Sequence, residues 1–269
     1  MNLLYKISNS IVYRKKYFFA KTNVLFYKWL TRLFISNKRD MLYRKKVYIW
    51  VPVWGEEHIN MFFDYTLPSM NQENNLPQLR DKYDVRIFIY TDSASKCFFE
   101  KHASERYPNL DFTLCLSDKI KNYHNDKTLS FLLDMMKKCV KDTALMLLAM
   151  PDYIFANGSL SNIVDLANGK GVSIASSHPR ISYEGINETS LKNDLSSGKS
   201  IAPSQLVRYL LENKHPSFEM MNDLNDPNST LDGISVRGVG LNSIAVIHNL
   251  PTVFLVSPSV SDINFFKKQ

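Results

Sequence analysis

Residues 144–160 read ALMLLAMPDYIFANGSL, an apolar run that gives way to a short polar turn. The run from Ala144 to Met150 has the continuous apolar character of a parallel strand that is buried on both faces. Pro151 ends the run, and Asp152 follows it directly. A carboxylate in this position lies just beyond a central strand, at the edge of an open α/β sheet where ligands bind.

Strand and helix patterns alternate on both sides of this segment. Strand patterns cover residues 47–53, 84–91, 111–116, 144–150 and 172–177, and helix patterns cover residues 93–107 and 157–166. Between residues 111 and 144, a helix face capped by Asn125 or Asp126 carries Leu129, Leu132, Leu133, Met136 and Val140. The alternation predicts an α/β fold with a doubly wound, mostly parallel central sheet flanked by helices.

The pattern is weaker after residue 179. Residues 190–200 and 203–213 favour helices, residues 216–232 are polar and typical of a loop, and residues 234–237, 243–248 and 252–256 favour strands. We interpret the polar part of this region as an insertion or lid on the acceptor side of a ligand site.

The net positive charge of the chain comes from its N-terminal end. Residues 1–46 contain 12 Lys or Arg and one acid, Asp40, whereas the other 223 residues contain 21 Lys or Arg and 25 Asp or Glu. Residues 22–36 place aromatic and aliphatic side chains at helical spacing among basic ones. The pattern predicts a basic amphipathic extension (residues 1–46) followed by an α/β domain (residues 47–269).

Two roles fit this extension. It is typical of a helix that lies in an anionic lipid interface, and equally of a helix that packs on the domain or on a partner subunit. Nucleic acid is disfavoured because no binding motif accompanies the charge. No signal peptide and no spanning apolar run is recognisable, and Cys97, Cys115 and Cys139 lack disulfide or zinc spacing. The expected location is therefore cytoplasmic, peripheral at the inner face of the cell membrane.

Two segments carry a resemblance to a known family. Residues 144–160, with an acid after a buried strand and a Ser-Leu helix start, resemble the metal-binding region of glycosyltransferases of the A-type fold. WGEEH (residues 54–58) and TLPS (residues 66–69) look like the first-strand loop and helix of bacterial glycosyltransferases that act on surface polysaccharides. The resemblance covers roughly residues 47–180 and implies a nucleotide-sugar donor and a glycan or glycolipid acceptor.

The resemblance also implies roles for individual residues. The donor would be bound by Trp54, Gly55, Glu56, Thr91, Asp92 and Lys127, with His178 and Arg180 placed to face its phosphates. Asp152 would bind Mg²⁺ or Mn²⁺ and act in catalysis, although Met150 replaces the first acid of the usual pair. A late histidine is missing from residues 239–244, and His248 has the pattern of a core or surface residue. Glu184, Asp223, Asp226 and Asp232 all suit, by position, the carboxylate that activates the acceptor, and the sequence does not choose among them; we take Asp232 with Asp152 as the catalytic residues.

Each assignment has a structural alternative. Asp152 also suits a turn after Pro151, Asp92 suits the N-cap of the next helix, and Glu56 suits a solvated first turn. His178 and Arg180 also suit an ordinary loop. Phosphate-binding Gly-rich loops, nucleophile elbows and Cys-x-x-Cys pairs are absent from the sequence, which disfavours kinases, dehydrogenases and hydrolases. The remaining functional alternatives are a catalytically degenerate binding or assembly subunit and, less favoured, a nucleotidyltransferase.

Overall fold

A six-stranded sheet forms the centre of the domain in the computed structural model. The structure describes residues 43–120, 126–169, 174–176, 185–186, 190–213, 234–240, 243–248 and 252–267. The described residues form eight strands, six of them in this sheet: β1 (Lys46–Pro52), β2 (Asp84–Thr91), β3 (Thr113–Leu116), β4 (Ala144–Leu148), β5 (Ile174–Ser176), β6 (Ile234–Gly240), β7 (Ser243–His248) and β8 (Thr252–Val256). β6 and β7 form a separate antiparallel pair.

The order of the central sheet is β3-β2-β1-β4-β8-β5. β1 pairs in parallel with both β2 and β4, and β2 pairs in parallel with β3. β8 enters between β4 and β5 and is antiparallel to both. The predicted fold class, an α/β domain with a mostly parallel central sheet flanked by helices, is confirmed.

Helices flank this sheet. They are α1 (Glu56–Met61), α2 (Leu67–Met70), α3 (Leu76–Lys82), α4 (Ser93–Arg106), α5 (Lys127–Asp142), α6 (Ser159–Ala167), α7 (Leu191–Ser196), α8 (Pro203–Glu212) and α9 (Val260–Lys267). A π-helical turn, Phe62–Thr66, joins α1 to α2. The Asp126 carboxylate accepts a hydrogen bond from the Leu129 amide at 2.9 Å, so the predicted cap of α5 is confirmed.

Alternation along β1 divides the apolar core into two layers. Val47, Ile49 and Val51 pack into one buried cluster, whereas Tyr48 and Trp50 pack into the other. The first cluster includes residues of α4 and α6, and the second includes residues of α5 and α9. Because successive side chains of a strand point to opposite faces, a fully apolar strand such as β1 supplies both layers.

The domain includes the last residues of the predicted basic extension. The Asn168 side chain acts as a strand-like partner of Arg44: its Oδ1 accepts from the Arg44 amide at 2.8 Å and its Nδ2 donates to the Arg44 carbonyl at 2.7 Å. The Arg44 guanidinium also donates to the Ala144 carbonyl at 3.2 Å. Residues 1–42, including the predicted amphipathic helix at residues 22–36, lie outside the described residues. Within the described ranges, no helix has the length and apolar character needed to cross a membrane.

Candidate functional site

The carboxyl ends of β1 and β2 meet at one edge of the sheet. The Val53 amide, just after β1, donates to the Tyr90 carbonyl of β2 at 2.8 Å. Gly55 then turns the chain into α1 with a φ of 78°, a conformation that side-chain-bearing residues rarely adopt. Its amide donates to the Ser95 hydroxyl at 2.9 Å, and a Cβ at this position would meet no atom within 4 Å. The turn therefore leaves open space at the sheet edge, beside Trp54.

Asp92 connects the end of β2 to two helices. Its Oδ1 accepts from the Ser95 amide at 2.9 Å, which caps α4, and its Oδ2 accepts from Lys127 Nζ at 3.0 Å. Partial burial alone would raise the pKa of this carboxyl, but hydrogen bonds from Ser95 and Lys127 outweigh burial and hold the pKa below its ordinary value. Asp92 is thus ionised at neutral pH, and the contribution of the pair is lost only as the pH falls below the ordinary range of an aspartate.

Lys127 also contacts an aromatic ring. As the first residue of α5, it places Nζ 5.2 Å from the centroid of the Trp54 ring. Phe131 also packs against that ring, with the two centroids 5.7 Å apart in an edge-on arrangement. The Lys127 side chain remains 41% exposed, so its amino group is accessible from solvent. We call Trp54, Asp92 and Lys127 the Trp54 cluster; it combines a ring, an anion and a cation from three separate segments.

The other predicted residues of this edge differ in accessibility. Thr91 is fully buried, and its hydroxyl has no hydrogen-bond partner within the structure as described. Glu56 and Glu57 are exposed in the first turn of α1, where the helix dipole favours acidic side chains. Glu56 is therefore accessible to a ligand at this edge, whereas the Thr91 side chain is buried inside the protein.

Asp152 is exposed in the turn that follows β4. β4 pairs directly with β1, so the Asp152 turn continues the row of strand ends that carries the Trp54 cluster. Among the residues that the structure describes, no three His, Cys, Asp or Glu side chains are grouped so as to hold a metal ion. The described part of the chain therefore does not form a protein-only site for Mg²⁺ or Mn²⁺, and Asp152 stands there as a single carboxylate.

A buried polar stripe positions the Asp152 turn. Thr66, Ser69, Gln72 and Asn75 recur every three residues, and each is at most 5% exposed. The Thr66 hydroxyl donates to the Pro151 carbonyl at 2.7 Å, and the Ser69 hydroxyl accepts from the Phe155 amide at 3.0 Å. The stripe thus satisfies backbone groups that flank Asp152 on both sides.

The second half of the stripe holds the end of the same loop. Asn75 donates to the carbonyls of Ser69 and Ala156 at 2.8 and 3.0 Å and accepts from the Leu160 amide at 3.0 Å. Gln72 donates to the Phe155 carbonyl at 2.9 Å and accepts from the Ile201 amide at 2.6 Å. Sequence reasoning did not assign this function to the stripe, although small polar residues at a spacing of three, T-x-x-S-x-x-Q-x-x-N, are a visible signal.

Several predicted residues are outside the described part of the chain. These are His178, Arg180, Glu184, Asp223, Asp226 and Asp232. His248 ends β7. The acceptor-activating carboxylate and the phosphate-facing pair accordingly stay predictions.

Comparison with known proteins adds a structural similarity. No protein-family model matches the chain, and no curated protein sequence matches it. A solved structure of the mannosyltransferase PcManGT from Pyrobaculum calidifontis, in complex with GDP-Man and Mn²⁺, is similar at 18% identity and a TM-score of 0.35. The match covers 59% of this chain and 43% of the mannosyltransferase, so the chain spans less than half of that protein. The functional assignment therefore rests on the residues of the site itself.

Proposed function

We propose that the protein is a glycosyltransferase that moves a sugar from a nucleotide-sugar donor to a surface polysaccharide or lipid-linked glycan. The observation that carries this proposal is the Trp54 cluster. Trp54 and Asp92 follow the carboxyl ends of β1 and β2, and Lys127, at the start of α5, contacts both: its Nζ is 3.0 Å from Asp92 and 5.2 Å from the centroid of the Trp54 ring. Ligands of open α/β sheets bind at this kind of edge.

Each member of the cluster suits one part of a nucleotide sugar. The exposed part of the Trp54 ring offers an apolar surface for a base, and the Asp92 carboxylate accepts hydrogen bonds from ribose hydroxyls or base amino groups. Lys127 supplies positive charge for the diphosphate that leaves when the sugar is transferred, and such charge stabilises the transition state. The Asp152 turn follows on the adjacent strand, where the sugar and its phosphates would lie. Asp232, outside the described residues, is the proposed activator of the acceptor hydroxyl.

Calorimetry of the full chain with UDP-, GDP-, ADP-, dTDP- and CMP-linked sugars tests the proposal. At least one donor is expected to bind, and at about 100 times its Kd it should stabilise the fold by about 2.7 kcal/mol. For a chain of this size, that corresponds to a rise in Tm of about 5 to 10 °C. The free sugars serve as controls and should give no shift. Absence of binding across the whole panel would overturn the proposal.

A catalytically degenerate binding or assembly subunit is the second candidate. Met150 in place of an acid, and the lack of a protein-only metal site in the described residues, favour it. A bound donor that is neither hydrolysed nor transferred in the presence of cell-envelope glycolipids would support this alternative over the transferase. Release of nucleoside diphosphate that depends on added acceptor would support the transferase.

The binding of divalent metal is expected to depend on the donor. A single exposed carboxylate offsets little of the cost of dehydrating Mg²⁺ or Mn²⁺, whereas donor phosphates add oxygen ligands. Mn²⁺ should bind weakly to the protein alone and more tightly with nucleotide sugar, and by linkage the donor should gain the same factor. Calorimetric titrations of wild type and Asp152→Asn measure both quantities. Equal donor affinity in the two proteins, without response to a chelator, would leave Asp152 as a turn residue.

We also propose that the N-terminal extension attaches the protein to the inner face of the membrane. Its charge supports this, since each basic residue near an anionic surface contributes about 1 kcal/mol. A variant lacking residues 1–42 keeps Arg44 and should remain folded, but it should no longer sediment with vesicles that contain phosphatidylglycerol. Pure phosphatidylcholine vesicles are the control, and salt should weaken binding of the full chain. Unchanged sedimentation of the truncated chain would contradict this role.

A further inference from the structure

The amino ends of the parallel strands form the edge of the sheet opposite to the Trp54 cluster. Lys46, the first residue of β1, pairs with Asp84 in β2 on one side and with Ala144 in β4 on the other. The helices α3 and α5 end just before β2 and β4 begin, so their last turns lie at the same edge. β1 separates the two edges by seven residues, about 20 Å of extended chain. A partner bound at the amino ends therefore leaves the Trp54 cluster accessible.

This edge is basic, although the domain as a whole is not. Three segments at the edge contain nine Lys or Arg and three Asp: residues 44–46, 80–86 and 137–142. In contrast, residues 47–269 contain more acids than bases. Part of the positive charge is paired, since Lys82 Nζ lies 2.7 Å from Asp165 and Arg86 lies 3.3 Å from Asp84. The remaining basic side chains give the edge an excess of positive charge.

Several cations share one carboxylate at the start of β4. The Tyr48 hydroxyl donates to the Asp142 carboxylate at 2.6 Å, and this bond, together with nearby positive charges, holds the pKa of that carboxyl below its ordinary value. Those charges belong to three basic side chains: Lys46, Lys141 and Arg86. Lys141 is exposed, as is Lys45 at the start of β1. Their charge is therefore accessible to an anionic partner.

Two exposed apolar residues accompany this charge. Tyr43 is 56% exposed and Leu166 is 57% exposed, and they are two of the four large apolar residues that are exposed in the described part of the chain. The Tyr43 ring stacks on the Tyr83 ring with their centroids 6.2 Å apart. The Tyr83 hydroxyl in turn donates to Asp165, the neighbour of Leu166, at 2.8 Å. Apolar and basic side chains on one surface suit the headgroup region of a bilayer, whereas the phosphate backbone of a nucleic acid offers no apolar layer.

The N-terminal extension joins the domain at this same edge. Residues 1–42 contain nine Lys or Arg and one acid, and they lead directly into Tyr43. Asn168 fixes the junction through its two hydrogen bonds to the Arg44 backbone. Resting on the proposed attachment of the extension to the membrane, we propose that the domain itself has a second surface that binds anionic phospholipid headgroups. This surface, which we call the amino edge, comprises Tyr43, Lys45, Lys46, Lys141 and Leu166.

Sedimentation of the full chain with vesicles tests the charge of the amino edge. The vesicles contain equal parts of phosphatidylglycerol and phosphatidylcholine. A variant that combines Lys45→Gln, Lys46→Gln and Lys141→Gln should bind them about 10-fold to 100-fold more weakly, because three charges near an anionic surface are lost. The matched control combines Lys96→Gln, Lys101→Gln and Lys119→Gln, which remove the same charge from α4 and from the turn after β3. The control should bind nearly as wild type does.

A single substitution tests the apolar part of the amino edge. Leu166→Gln should weaken vesicle binding about threefold to tenfold, because an exposed leucine that enters the headgroup region loses contact with water. Val207→Gln, at an exposed residue of α8, is the control and should leave vesicle binding unchanged. The Tm of every variant should match that of wild type, since these substitutions are on the surface.

The outcomes separate this inference from the attachment on which it rests. Failure of the full wild-type chain to sediment would overturn both the attachment and the amino edge. Full binding retained by the triple lysine variant and by Leu166→Gln would overturn the amino edge alone and leave the extension as the attachment. Equal losses in the triple variant and in its control would overturn it as well, because net charge would then account for the effect. Binding of a short DNA duplex that is lost in the triple variant, without a loss of vesicle binding, would identify nucleic acid as the partner of this edge instead.

Discussion

Asn75→Asp is expected to lower the free energy of unfolding by about 3 kcal/mol or more, because a fully buried amide that makes three hydrogen bonds becomes a carboxylate. The amide nitrogen donates to the carbonyls of Ser69 and Ala156. A carboxylate cannot donate while ionised, so it would face both oxygens without water or a cation between them. The Leu160 amide would keep its acceptor, which recovers only part of the loss. Chemical denaturation at neutral pH measures the change.

Asn74→Asp is the matched control for this substitution. The chemical change is the same, but the Asn74 side chain is exposed, and its hydrogen bonds come from the backbone: the amide donates to Asn157 Oδ1 at 3.0 Å and the carbonyl accepts from the Ser161 hydroxyl at 2.6 Å. Surface substitutions of this kind change stability by about 0.5 kcal/mol or less. If the two variants unfolded at the same denaturant concentration, the Asn75 amide would not be an anchor of the loop that bears Asp152.

The central strands and their helices were predictable because local patterns determine them. β1 and β4 are apolar on both faces, as is β2 from Ile87 to Tyr90, which is the signature of strands in a parallel sheet. The cap at Asp126 was predictable for a similar reason, since the capping contact spans only three residues. In each case the structure is determined by contacts between residues that are close in sequence, or by the burial of apolar side chains alone.

The position of β8 was not predictable from its own residues. TVFLV (residues 252–256) indicates a strand, but five apolar residues specify neither direction nor neighbour. Its partners, Met146 and Leu147 in β4, lie more than 100 residues earlier in the chain. Insertion of this strand between β4 and β5 is set by tertiary packing, which leaves no local mark on the sequence.

The polar stripe escaped sequence analysis for a related reason. Polar side chains normally indicate exposure, and Thr66, Ser69, Gln72 and Asn75 are buried only because backbone groups of a distant loop need partners.

Asp92 shows the opposite case. Its two interpretations, helix cap and ligand contact, looked like alternatives, yet one oxygen caps α4 while the other meets Lys127. A carboxylate has two oxygens, so the cap leaves the second one for the site.

Lys127→Met is expected to weaken the binding of nucleotide sugar by about 10-fold to 100-fold, since a charged hydrogen bond to phosphate contributes about 1.5 to 3 kcal/mol. The Lys127 amino group has three donors, and Asp92 uses one of them. Methionine keeps the length and apolar stem that lie along Trp54 but removes the charge. Stability should change little, because a pair this exposed, at 41% and 23%, contributes about 0 to 1 kcal/mol.

The comparison between ligands identifies what Lys127 binds. If its charge faces the diphosphate, Lys127→Met should weaken nucleoside diphosphate and nucleotide sugar but leave the uncharged nucleoside nearly unaffected. Asp92→Asn should instead weaken the nucleoside as well, because the carboxylate faces ribose or base. Lys101→Met, a change of the same kind at an exposed lysine of α4, is the control and should alter none of the three affinities. Equal losses for nucleoside and diphosphate in Lys127→Met would show that Lys127 acts only by orienting Asp92 and Trp54, and would move the diphosphate away from the start of α5.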